Sequence, residues 1–146
     1  MASPSYGDKL ARTIAAYDIK KVSLTVGHAD LTAAALTQTI NIGSAALPSG
    51  AVIVGRTIVL GTAFSGGGSS AASVDIGGTD ADCIVDGESI FTGATTAKAG
   101  TSGINPNGLL GGQQLTATFI SDVNVALLDA GAVTIHVFYV VPTVFG

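Results

Sequence analysis

The sequence predicts an all-β chain that closes as an antiparallel sandwich or barrel, and three observations carry that expectation. Apolar and polar residues alternate with a period of two in several short stretches. Segments rich in Gly and Pro separate those stretches, and amphipathic helical spacing is nearly absent.

Taken in order, residues 8–17 (DKLARTIAAY) are the main helical candidate, with Leu10, Ile14 and Tyr17 on a shared face. Residues 1–18 therefore read as an N-terminal arm or short helix, ahead of one β-sandwich domain over 19–146. In 20–26, Val22, Leu24 and Val26 oppose Lys21, Ser23 and Thr25, as a half-buried strand requires. The same period in 35–42 sets Leu36, Ile40 and Ile42 against Thr37, Thr39 and Asn41.

Residues 51–60 (AVIVGRTIVL) are apolar on both faces, which suits a central strand covered twice or a strand at a subunit contact. Gly55 in their middle marks a bulge or a close backbone approach. A short strand, Ser73 to Ile76, follows the SGGGSS turn at 65–70. The stretch 93–112 is too long and polar for a plain hairpin turn, and long loops are usually functional or ordered by a partner.

Residues 113–120 then alternate Leu115, Ala117 and Phe119 with Gln114, Thr116 and Thr118. A turn of helix is expected at 123–129, capped by Asp122 and ended by Gly131. The last strand, 132–141, places Val133, Ile135, Val137, Tyr139 and Val141 on one face, and its β-branched and aromatic content suits a pleated sheet.

Composition bounds the function. Of 146 residues only 11% are charged, against about a quarter in an ordinary soluble domain. A charge-poor surface invites association, so much of this surface is expected to be covered by other subunits. The net charge of −4 and the lack of clustered Lys and Arg argue against a nucleic-acid partner. Residues 1–21 contain no signal-peptide type of apolar run. Elsewhere apolar runs break well before the roughly 20 residues of a membrane helix. A cytoplasmically made protein without a membrane partner is expected. The single cysteine, Cys83, forms no intrachain disulfide.

Catalytic chemistry finds little support. The acidic segment Asp75, Asp80, Asp82, Asp86 and Glu88 suggests a calcium loop, but from Asp80 the fifth and sixth positions are Ile84 and Val85. These break the pattern of ligands and glycine that such a loop needs. Turn and capping roles for Asp and Gly are expected instead, with a looser oxygen-ligand site as the alternative. No nucleophile elbow or phosphate-binding glycine loop occurs, and no cofactor is implied. A pair of Cys83 with His28 or His136 would need a shared cleft. Cys83 reads better as a small buried hydrophobe, His136 as a packed or interface residue, and His28 as a polar turn residue. A glycan site would use an exposed aromatic, for which Tyr6 and Tyr17 are the candidates.

Read from Lys20 to Val141, a run of features resembles the capsid decoration (cement, or head auxiliary) proteins of tailed bacteriophages. KKVSLTV is followed by ALTQTINIG and ALPSGAVIVG, with Leu47-Pro48 leading into the doubly apolar strand. SVDIGGTDADCIVDGESIF, NPNGLLGGQQLTATF and AGAVTIHVFYVV complete the pattern. The resemblance implies a jelly-roll-like sandwich with no catalysis. It implies a virion protein on the capsid exterior, made in the host bacterial cytoplasm, that binds the major capsid protein and cements neighbouring capsomers. It further implies a homo-oligomer, a homotrimer favoured over a dimer. Two segments are the expected partner contacts: the arm, through Tyr6, Leu10, Ile14 and Tyr17, and the long loop, through Ile104, Leu109 and Leu110. A head-fibre or tail component, a glycan- or ligand-binding sandwich and an uncharacterised hydrolase are the alternative readings.

Overall fold

Alternating strands need a second apolar layer to cover their inward faces, and this chain supplies it by dividing its strands between two sheets. The computed structural model describes residues 18–91, 110–142 and, as backbone, 96–98. Among the described residues the strands are β1 (Lys20–Gly27), β2 (Thr37–Ile42), β3 (Val52–Ser65), β4 (Ala72–Gly77), β5 (Val85–Ser89), β6 (Thr96–Lys98), β7 (Leu115–Ser121) and β8 (Ala130–Val140). One sheet has the order β1-β8-β3-β6 and the other β2-β7-β4-β5. Every pairing is antiparallel. The two antiparallel sheets make the all-β sandwich that the strand pattern predicts, and eight strands in this order form a jelly roll, the form that the resemblance implies.

The inward rows follow the predicted alternation. Val26, Ile58, Leu60, Val133, Ile135 and Val137 come from the first sheet, and Ile42, Val74, Ile76, Leu115, Ala117 and Phe119 from the second. Each large aliphatic or aromatic side chain so buried contributes about 1.5–3 kcal/mol. Phe64 of β3 and Phe119 of β7 meet across the layers, with ring centroids 6.1 Å apart and planes tilted by 41°.

Several local expectations are corrected. The described residues do not cover the 51–60 strand on both faces, because Val54 and Val59 are 47% and 39% exposed, so of its two readings the doubly covered one is not met among them. Gly55 does mark a bulge: Ile53 pairs with Tyr139 and Gly55 with Phe138, leaving Val54 as the extra residue. Leu36 precedes β2 and is 52% exposed instead of joining the inward row.

The helical turn at 123–129 shrinks to a 3-10 turn at Val125–Leu127, preceded by Asn124, and Asp122 does not cap it. Gly131 does not end it either; it lies within β8 with φ of 142°, and a Cβ there would come within 2.3 Å of the Phe64 ring. Two strands arise where none was read, β5 within the acidic segment and β6 within the long loop. The helical candidate 8–17 lies outside the described residues.

Candidate interaction surface

Strand alternation that buries one row exposes the other, so the outer rows of the two sheets are the surfaces this fold offers. On the first sheet the register aligns Lys21, Phe138 and Gly55, then Ser23, His136 and Thr57, then Thr25, Thr134 and Val59. Ser23 Oγ lies 2.7 Å from His136 Nδ1, and the Thr25 and Thr134 hydroxyls are 3.2 Å apart. The rings of His136 and Phe138 lie 6.4 Å apart between centroids, with their planes tilted by 39°. Lys21 is the one formally charged residue in these three rows.

The second sheet presents a similar face. Thr37, Ile120 and Ser73 align, then Thr39, Thr118 and Asp75, then Asn41, Thr116 and Gly77. The Thr39 and Thr118 hydroxyls are 3.0 Å apart. Cross-strand pairs of this kind hold neighbouring strands in register. Over these rows both outer faces are thus hydroxyl-bearing, with Lys21 the one formal charge on the first and Asp75 on the second, and the acidic residues of the second sheet gather at its β5 edge.

At the end of the second sheet an open groove of about 520 Å³ is lined by Ser73, Ser89, Phe91, Ile120 and Asp122. Its carboxylate is already engaged. Asp122 Oδ1 accepts from the Ser69 hydroxyl (2.8 Å) and the Ser70 N–H (3.1 Å), while Oδ2 accepts from the Ser70 hydroxyl. The Ala71 N–H adds a longer contact to Oδ1 at 3.3 Å. The Ser70 and Ser69 donors hold the Asp122 carboxyl well below its ordinary 3.8.

This clasp ties the 65–71 turn to the β7–β8 connection, and Asp129 N–H donates to the Ser65 carbonyl at 2.9 Å beside it. Gly66, at φ of 109°, fits there because a Cβ would collide with Asp129. Spacing along the chain could not reveal this partnership, since Ser70 and Asp122 are 52 residues apart. The one local clue is the run of Ser and Gly itself, whose exposed N–H and hydroxyl donors call for an acceptor.

The acidic segment is dispersed by its own strand. In β5, Asp86 is exposed whereas Glu88 is 7% exposed, and a register shift opposite Val74–Ile76 places Asp86 and Gly87 in a bulge. Asp75 accepts from the Gly87 N–H at 2.7 Å. Burial, with repulsion from Asp86 and Asp82, raises the Asp75 carboxyl above its ordinary 3.8 despite that bond. A hydrogen bond that the protonated Asp80 donates to the neighbouring Asp82 carboxylate, together with the charge of that carboxylate, raises Asp80 likewise. Among the described residues no cluster of His, Cys, Asp and Glu has the arrangement of a metal site.

Cys83 is half-buried between β4 and β5 of the second sheet, whereas His136 sits on the outer face of the first and His28 just past β1. Leu110, expected as a partner anchor, is only 3% exposed and packs in the core. The backbone explains this: Gly112 N–H donates to the Leu47 carbonyl and Leu47 N–H to the Gln113 carbonyl, each at 2.9 Å, which draws 110–113 against the sandwich. Tyr6, Leu10, Ile14, Tyr17, Ile104 and Leu109 lie outside the described residues. No helix among the described residues is long and apolar enough to cross a membrane.

Comparison with known proteins returns no matching family model and no matching curated protein. Among solved structures, the chain is similar to one in the cyanophage Pam1 capsid asymmetric unit. That likeness has a TM-score of 0.55 and 16% identity, over 97% of this chain and 93% of the other. A chain from the acid-stable capsid of Helicobacter pylori bacteriophage KHP30 is similar at a TM-score of 0.43 and 16% identity, over 87% and 90%. At this identity the Pam1 likeness shows a shared fold, and the KHP30 likeness adds no further weight.

Proposed function

We propose that this jelly roll, sharing its fold with a chain of a phage capsid, is a structural protein of a phage virion. It seats on the exterior of the assembled shell, binds the major capsid protein and cements neighbouring capsomers, without catalysis. The observation that carries this reading is the pair of outer faces, hydroxyl-bearing and nearly uncharged. Burying such a face leaves few ions to desolvate, and its hydroxyls can bond across a contact. Many copies on a lattice then make modest contacts strong together.

The arm over 1–18 and the loop over 93–112 are proposed as the segments that reach partners, through Tyr6, Leu10, Ile14, Tyr17, Ile104 and Leu109. Leu110 is withdrawn from that set by its burial. A trimer is preferred to a dimer as the unit that seats on the shell.

Co-sedimentation with preassembled empty shells tests the reading. The chain is expected to sediment with shells at saturable stoichiometry and to raise their disruption temperature. His28→Ala and Cys83→Ser are expected to leave both effects unchanged. Binding to isolated tails but not to shells would move the protein to the tail. Binding to neither would overturn the virion role and direct attention to the groove beside Phe91 as a ligand site.

A further inference from the structure

Edge strands present unpaired backbone donors and acceptors, and proteins commonly blunt them with bulges, charges or short length. Among the described residues the sandwich has four such edges, β1 and β6 on one sheet and β2 and β5 on the other. β6 is three residues long, and the register shift at Asp86 and Gly87 interrupts β5. In β2 the Gln38 side chain is bonded to the 30–33 segment. β1 has no such protection along its length. Its eight residues pair with β8 in unbroken register, and among the described residues no strand pairs with its other edge. Its inner row is also short of cover, since Val22 and Leu24 stay half-buried while Val26 is buried.

The residues of β1 indicate what fits that edge. Val22-Ser23-Leu24-Thr25-Val26 reads almost alike in both directions about Leu24. A two-fold axis perpendicular to a sheet brings identical strands together antiparallel and keeps inner and outer faces on their own sides. Placed at Leu24, it sets Val22 against the second copy's Val26, and Leu24 against its equivalent, on the inner side. On the outer side it sets Ser23 against Thr25. Apolar residues thus meet apolar ones and hydroxyls meet hydroxyls, the pairs that stabilise a ladder. The same register sets Lys21 against the second copy's Gly27. Asp30 Oδ2 accepts from the Gly27 N–H at 2.8 Å, so its carboxylate is within reach of the arriving ammonium. An axis at Ser23 would instead set Lys20 against Val26, and one at Thr25 would leave only 23–27 paired.

We propose that β1 of one copy pairs antiparallel with β1 of a second copy across a two-fold axis at Leu24, joining two four-stranded sheets into one of eight. The contact is isologous, so it closes on two copies. It goes beyond the shell-binding role and does not depend on it. A trimer seated on a shell would use another surface, and this edge would join one trimer to the next.

Disulfide trapping tests it in the full-length chain on a Cys83→Ser background. In this register Leu24→Cys faces itself, and Ser23→Cys in one copy faces Thr25→Cys in another of distinguishable mass. Hydrogen-bonded and non-hydrogen-bonded pairs alternate along an antiparallel ladder, so one of these two sites has the closer approach that suits a disulfide. On mild oxidation that site is expected to give a covalent dimer several times faster than Thr39→Cys, which is exposed on the β2 edge. The mixed Ser23 and Thr25 pair is also expected to form faster than either variant with itself. Faster trapping of either variant with its own kind would overturn the register. Rates no higher than that of Thr39→Cys at every site would overturn the contact. Ser23 and Thr25 are exposed, so their variants are expected to keep the parent's circular dichroism. Lys21→Glu, which sets like charges together, is expected to weaken the dimer several-fold by light scattering, and an unchanged dimer would overturn the pairing with Asp30. Shell co-sedimentation of the unaltered chain is scored separately, so a lost edge contact is distinguishable from a lost virion role.

Discussion

Asp122 and Asp75 are surface carboxylates whose stability effects run in opposite directions. The folded-state pKa of Asp122 lies below its ordinary 3.8 because Ser70 and Ser69 donate to the charged form. Its contribution is complete above that value and is lost as pH falls through the lower, folded one. Asp122→Asn replaces an accepting oxygen with an amide that must face the Ser70 donors. It is expected to lower the unfolding temperature clearly at pH 7, with the gap to the parent narrowing below about pH 4. Thermal unfolding followed by circular dichroism across pH checks this. Asp75 is raised instead, chiefly by burial and next by its acidic neighbours, so its charge opposes folding above the raised value and ceases to do so below it. Asp75→Asn retains an oxygen for the Gly87 N–H and removes the charge. Its unfolding temperature is expected to equal or exceed the parent's at pH 7, and that advantage to vanish near pH 3.

Strands β3 and β7 join the two layers through Phe64 and Phe119, at 0% and 1% exposure. Phe119→Ala is expected to cost about 3–5 kcal/mol, the range for a large aromatic deleted from a packed core. Chemical denaturation reads that loss, and an unchanged denaturation midpoint would mean the layers do not depend on this contact. These elements were legible because their sequences alternate without interruption, as Leu115, Ala117 and Phe119 do against Thr116 and Thr118. β5 was not, since the Asp86-Gly87 bulge breaks the period and its acidic residues imitate a loop. In the sequence Asp122 looks like a helix cap because the nearest candidate partner follows it, whereas folding supplies Ser69 and Ser70 from another strand connection. Leu110 misled for a related reason. A Leu pair set among glycines looks like part of a loop until backbone pairing of 110–113 with Leu47 turns Leu110 into the core. The surface itself was only half visible: the threonine rows follow from alternation, but exposure of Val54 depends on a bulge whose register no local pattern fixes.

For the whole molecule, two outer faces with so little charge leave little to keep copies apart. Light scattering over a dilution series is expected to give the mass of a trimer or dimer that persists on dilution. A monomer at all concentrations would confine association to the shell lattice. The strand order also has a temporal consequence. Among the described residues β8 comes last in sequence and lies between β1 and β3, and β7 lies between β2 and β4. Neither sheet can close until residues 115–140 have left the ribosome, and of the observed pairings only β4 with β5 joins consecutive strands. Folding must therefore wait until β8 has emerged and bridge long stretches of chain, which makes it slow for its size. Until then β1, β2 and β3 present unpaired edges. A protein needed in many copies would then be limited by how fast each chain matures as well as by how fast it is made.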